Sequence, residues 1–134
     1  MNRFVWPTRV YWEDTDGGGV VYYANYLRFM ERARSEWLRA HGFAQSALAA
    51  DPGVLFSVIE AHIKYLKPAR LDDLLYVTCV PAIDGAASLK FTQQIRRATE
   101  QGVLLAEGMA RVACVSAVGF KARRLPAALL KELQ

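Results

Sequence analysis

One carboxylate, three consecutive glycines and the start of a helix stand together near the beginning of the chain. Asp16 directly precedes Gly17, Gly18 and Gly19, and a segment with helical spacing runs from Val20 to His41. Glycines let a ligand come close to the backbone. The first turn of a helix offers unpaired N–H groups and a partial positive charge. An acid facing such a turn supplies the minimum equipment for hydrolysing an activated acyl group: something to attack or to activate water, and a fixed donor for the oxyanion. Asp16 is the candidate acid. Asp14 reads instead as the acid that caps the turn or the helix.

Other chemistries fail on spacing. Asp14-Thr15-Asp16 begins like a calcium loop, but Gly18 and Asn25 stand where oxygen ligands belong. No Gly-Lys-Ser/Thr follows the glycines, and neither H-E-x-x-H nor G-x-S-x-G occurs. His41 and His62 are single and distant, so both read as structural. Cys79 and Cys114 lie in apolar runs without a C-x-x-C pair and read as buried free thiols. No metal and no cofactor is expected.

The elements that must position Asp16 follow from periodicity. With 134 residues, 53% of them hydrophobic, residues 1–134 fit one domain with a substantial core. The net charge is +4, but its Lys and Arg residues form no block, which argues against nucleic acid. Met1 to Pro7 is too short and polar for a signal peptide, and no apolar run nears the ~20 residues of a membrane span. The expected setting is cytoplasmic. Arg9–Trp12 reads as a strand. Tyr23, Leu27, Met30, Ala33, Trp37 and His41, widened by Tyr26 and Leu38, form the apolar stripe of a long helix that Gly42 stops. An Arg32–Glu36 pair fits its outer side. Gly42–Gly53 reads as turn. Strands follow over Phe56–Lys67, with Ile59, Ala61, Ile63 and Tyr65 inward, and over Leu74–Val80. Another has Leu89, Phe91, Gln93 and Ile95 inward, and Val103–Val118 is a fourth, with Gly108 as its bulge or bend. Pro126–Leu133 is a helix or tail. A curved antiparallel sheet wrapped around one long helix is the expected α+β architecture.

Two stretches carry a family resemblance. Arg9 to Arg34 (RVYWEDTDGGGVVYYANYLRFMERAR) and Ile63 to Asp73 (IKYLKPARLDD) resemble the YbgC-like acyl-CoA thioesterases, in the 4-hydroxybenzoyl-CoA thioesterase branch of the hotdog superfamily. The resemblance implies a hotdog fold and hydrolysis of acyl-CoA to free acid and CoA, with CoA as part of the substrate. It makes Asp16 the catalytic carboxylate, as nucleophile through a mixed anhydride or as general base. It also makes the backbone N–H of Tyr23 the group that polarises the carbonyl, with Gly18 and Gly19 allowing close approach. Trp12 stands where many relatives have Tyr, and Tyr23 where they have His. A phenol, with a reference pKa of about 10, can donate a hydrogen bond but is no base near neutrality. Relatives place their sites at the interface of dimers whose sheets join edge to edge. That implies a homodimer or a tetramer of dimers here, with CoA held by Lys64, Lys67, Arg70, Lys121, Arg123 or Arg124. Tyr26, Phe29 and Met30 would wall the acyl pocket beside the helix. A rival reading is a non-catalytic binder of acyl-CoA or acyl-carrier protein, or a scaffold in a cell-envelope system.

Overall fold

The computed structural model describes residues 3–133. Their order is β1 (Phe4–Arg9), a 3-10 turn (Trp12–Asp14), α1 (Asn25–Ala40), α2 (Gln45–Ala50), β2 (Val54–Tyr65), β3 (Leu74–Gly85), β4 (Ser88–Arg97), β5 (Leu104–Ser116) and α3 (Ala127–Leu133). The strands form one five-stranded antiparallel sheet in the order β1-β3-β4-β5-β2. Its inner face packs on α1, the α+β arrangement expected from the sequence.

Helix α1 buries Tyr26, Phe29, Met30, Ala33, Trp37 and Leu38. The spacing found most of this stripe but turned it slightly: Tyr23 and Leu27 are 62% and 42% exposed, and Phe29 takes their place inside. Tyr23 lies outward because it precedes the regular helix. Gly42 ends α1 as expected. At φ +85° it lets its own N–H reach Arg39 and the Phe43 N–H reach Leu38 at 2.8 Å. His41 is structural, its Nδ1 2.9 Å from the Trp37 carbonyl. On the outer side Glu36 pairs with Arg39, at 2.6 Å, rather than with Arg32.

From β4, Leu89, Phe91, Gln93 and Ile95 point inward as the alternation required. Gln93 is the polar exception. Its Nε2 donates to the Met30 carbonyl and its Oε1 accepts from Arg34, each at 3.0 Å. Burial pulls the Arg34 guanidinium below its ordinary range, with Glu31 pulling the other way. Replacing Gln93 by Leu keeps the volume but strands a largely dehydrated cation, so Gln93→Leu should cost about 2 kcal/mol. A lower urea midpoint with an unchanged slope checks it; no shift would refute it.

Cys79 and Cys114 are free and buried, as read from the sequence. Burial pushes the Cys79 thiol up to about 12, with Arg34 opposing; burial raises Cys114 as well, against Arg123. A thiol whose folded pKa exceeds its ordinary 9.0 stabilises the fold below that pH, and the contribution is lost as pH rises toward 12. Neither thiol should react with a disulfide reagent at pH 8 until denaturant is added. Rapid labelling of the native protein would contradict this burial.

Several boundaries differ from the sequence reading. The first strand is Phe4–Arg9, not Arg9–Trp12, and pairs with Leu74–Cys79 of β3. As an edge strand it tolerates Pro7. Val10 is buried, but Tyr11 and Trp12 turn outward. The stretch read as turn contains α2, too short and alanine-rich to show a period, with Leu48 buried. β5 is Leu104–Ser116, shorter than expected, and its ladders shift register between Val58 and Glu60 of β2 and between Ile95 and Arg96 of β4 rather than at Gly108. The predicted inner face of β2 is largely open. Ile59 is 57% exposed and Ala61 is exposed too; only Ile63 of that set packs against the core. β2 is an edge strand of the sheet, with a neighbour on one side only.

Candidate active site

The acidic turn is built by Asp14. Its buried carboxylate accepts the Tyr11 N–H at 2.8 Å, the capping role read from the sequence. Its carbonyl accepts both the Tyr22 N–H, at 3.0 Å, and the Asn25 side-chain amide, at 2.9 Å. One backbone oxygen therefore ties the acidic turn to the start of α1. Between these anchors the chain doubles back, with Thr15 bridged to Val21 and the Asp16 N–H donating to Val20 at 3.0 Å. Gly17 and Gly19 make the reversal at φ +90° and +85°, values that disfavour a side chain.

Asp16 is exposed at the tip of this reversal. Its Oδ1 accepts the Gly18 N–H at 2.8 Å, and a Cβ at Gly18 would crowd that oxygen at 3.2 Å. One carboxylate oxygen is thus fixed by the loop. The other takes no hydrogen bond from the described residues.

Helix α1 is entered through a turn closed by the Asn25 N–H on the Tyr22 carbonyl, 2.8 Å. This places Tyr23 and Ala24 in the first turn although the regular helix begins at Asn25. No acceptor among the described residues takes the Tyr23 or Ala24 N–H. They are the orphan donors of a helix start. The Tyr23 ring lies outward, 4.8 Å from Tyr22, and its hydrogen bond raises the Tyr22 phenol. Beside it a hollow of about 320 Å³ is lined by Val21, Tyr23, Tyr26, Tyr65, Leu66, Lys67 and Pro68.

The remaining predicted residues divide by position. Tyr26 is buried at the hollow, its hydroxyl accepting the Ala69 N–H at 2.9 Å. Lys67 lines the same hollow. Arg70 is bridged to Val20, one residue past the glycines. Phe29 and Met30 are core rather than pocket wall, fully enclosed with the sheet. Trp12 is 69% exposed on the acidic turn. Lys64 faces a depression on the sheet with His62 and Lys90. Lys121, Arg123 and Arg124 lie at the far end of the β2–β5 pair, where Lys121 and Arg123 bond to Ser116 and Cys114. Within one chain they do not meet Asp16. The sequence reading missed Asn25 and Tyr65. Tyr65 passed as one more inward residue of an alternating strand, and only its tyrosine neighbours hinted otherwise.

Among the described residues no cluster of three or more His, Cys, Asp or Glu side chains could hold a metal ion. Among the described residues, no helix is long and apolar enough to cross a membrane.

Comparison with known proteins gives the family. Residues 18–104 match the family model described as the thioesterase superfamily. The acyl-CoA thioester hydrolase YbgC of Escherichia coli O157:H7 is 46% identical over 131 residues, 98% of this chain and 96% of that protein. The acyl-CoA thioesterase YbgC of Haemophilus influenzae is 44% identical, with 99% and 93% covered. Among solved structures, a 1,4-dihydroxy-2-naphthoyl-CoA thioesterase from Synechocystis superposes with a TM-score of 0.90 at 25% identity, covering 98% of this chain and 96% of that one. A probable thioesterase from Bartonella henselae gives 0.85 at 34%, with 93% and 100% covered. The chain belongs to the thioesterase superfamily of hotdog fold, in the family of the YbgC acyl-CoA thioesterases, and is a thioester hydrolase.

Proposed function

We propose that this enzyme hydrolyses acyl-CoA at the junction of the glycine loop and the first turn of α1. The observation that carries the proposal is the shared Asp14 carbonyl, which holds the Asp16 loop against the helix start. The thioester carbonyl is bound by the Tyr23 N–H, and negative charge developing on its oxygen is met by a donor already in place. Asp16 either takes a proton from the attacking water or attacks the acyl carbon itself; its free oxygen is open to both. In the first course the proton taken from water passes to sulfur as the carbon–sulfur bond breaks, and CoA leaves as the thiol beside the free acid; in the second CoA leaves as the thiolate and water then hydrolyses the Asp16 anhydride, releasing the acid and the carboxylate. Gly18 and Gly19 keep side chains out of the approach, Tyr26 and Trp12 flank the acyl group, and Lys67 and Arg70 face the phosphates of CoA.

The outer edge of β2 supports a dimer. It is twelve residues long, and Val58 and Ile59 are exposed beside it. An unpaired apolar edge of that length is a template for another strand. A second copy joined antiparallel there would bring its Lys121–Arg124 segment toward this chain's Asp16 end, which gives Arg124 a place in CoA binding. Such dimers can pair again into tetramers, and a cytoplasmic setting fits a CoA substrate. Released thiol, followed across a panel of acyl-CoA chain lengths, tests the proposal; no turnover on any of them would defeat it. Tight acyl-CoA or acyl-carrier-protein binding without turnover is the outcome that Trp12 and Tyr23, in place of Tyr and His, would favour.

A further inference from the structure

Tyr65 closes β2 with its ring against the start of α1. Its hydroxyl donates to the Tyr23 carbonyl at 2.9 Å. The rings of Tyr23 and Tyr26 stand edge-on to it at 6.3 and 5.1 Å. The preceding carbonyl, that of Tyr22, is taken by the Asn25 N–H at 2.8 Å. Both peptides flanking Tyr23 are therefore held at their oxygens, one by the turn itself and one by a side chain from the sheet. A trans peptide points its N–H opposite to its C=O. Fixing the Tyr23 oxygen thus fixes the Ala24 N–H, which has no acceptor among the described residues. A carbonyl that accepts a hydrogen bond also makes the N–H of its own peptide a stronger donor.

We infer that Tyr65 is a positioning residue for thioester hydrolysis: it aims and polarises the Ala24 N–H as a second donor, beside that of Tyr23, for the oxyanion. This rests on the proposal that the first turn of α1 binds the thioester oxygen. Burial, with Tyr26 and Tyr23 adding to it, raises the Tyr65 phenol above the ordinary tyrosine range, so it remains an O–H donor at neutral pH. Tyr65 also lines the hollow beside the turn. Loss of the ring would disturb acyl binding, whereas loss of the hydroxyl alone would not.

Tyr65→Phe separates the two. At a position 43% exposed, it should leave the melting temperature in place. Deleting an oxyanion donor outright costs about 10²–10³ in rate, so loosening one should lower kcat by roughly tenfold, with KM almost unchanged. The carbonyl stretch of a bound ketone analogue of acyl-CoA, with CH2 in place of sulfur, should move to higher frequency in the variant. An unchanged kcat, a rise in KM alone, or a kcat loss without the frequency shift would each overturn the inference. Asp16→Asn, assayed in parallel, keeps the two proposals apart. An inactive Asp16→Asn beside a fully active Tyr65→Phe removes only the role of Tyr65, while a fully active Asp16→Asn removes the site itself.

Discussion

Asp16→Asn is expected to lower kcat on acyl-CoA by about 10³-fold, within the range that a positioned acid or base contributes. Asparagine has nearly the same shape and keeps an oxygen to accept the Gly18 N–H, the contact that holds Asp16 at 2.8 Å. The loop should therefore persist, and the deficit should be chemical. What disappears is the negative oxygen that attacks the acyl carbon or takes the proton of water. Circular dichroism and melting temperature should match those of the parent, and KM should change little, because the Tyr23 and Ala24 N–H groups remain. A variant within tenfold of the parent rate would show that the carboxylate does not carry the reaction.

Gly108→Ala should be the most damaging single methyl group in the sheet. Gly108 sits opposite Ile63 in the β2–β5 ladder. A Cβ there would lie 2.2 Å from the His62 carbonyl oxygen and 3.1 Å from the Ile63 Cα. Both are backbone atoms, so no side chain can swing aside; the two strands must part or the carbonyl must tilt. Overpacking of this kind costs about 3 kcal/mol, which lowers the melting temperature of a domain this size by roughly 10 °C. Thermal unfolding reads it directly, and a variant melting within two or three degrees of the parent would show that the ladder yields easily. Because β2 carries the proposed dimer edge, a loss of dimer in sedimentation should accompany the loss of stability.

The contrast between Gly108 and Gly42 shows what could be read in advance. Gly42 was legible because it followed a helical stripe and did one local thing, which was to end it. Gly108 was noticed as a bulge or bend point, but no register shift falls there, and its tight contact with the β2 backbone went unread. Its role depends on a strand more than forty residues earlier in the chain, and register is not written in either strand alone. The same division runs through the site. Asp16 and its glycines stand next to each other in sequence, so their conjunction was visible, and the long motif around them gave the family. Tyr65 reaches the Tyr23 carbonyl only because β2 ends beside the start of α1. Alternation along β2 predicted a buried face, yet on this edge strand Ile59 and Ala61 stay exposed and only Ile63 packs against the core. Arg124, sensible by charge, lies at the wrong end of its own chain. Pattern identifies elements and their inward faces; which ends meet is decided by topology.

The glycine loop, finally, is not slack. The Gly19 carbonyl accepts from Leu71 at 3.0 Å, Val21 donates to Ala69 at 2.8 Å, and Val10 exchanges bonds with Asp72 and Asp73. Three residues that would cost most to immobilise are thereby immobilised when the polypeptide collapses, well before any thioester arrives. At the site proposed above, an incoming acyl group would meet a mould already set, and its affinity would not be drained by ordering the backbone around it.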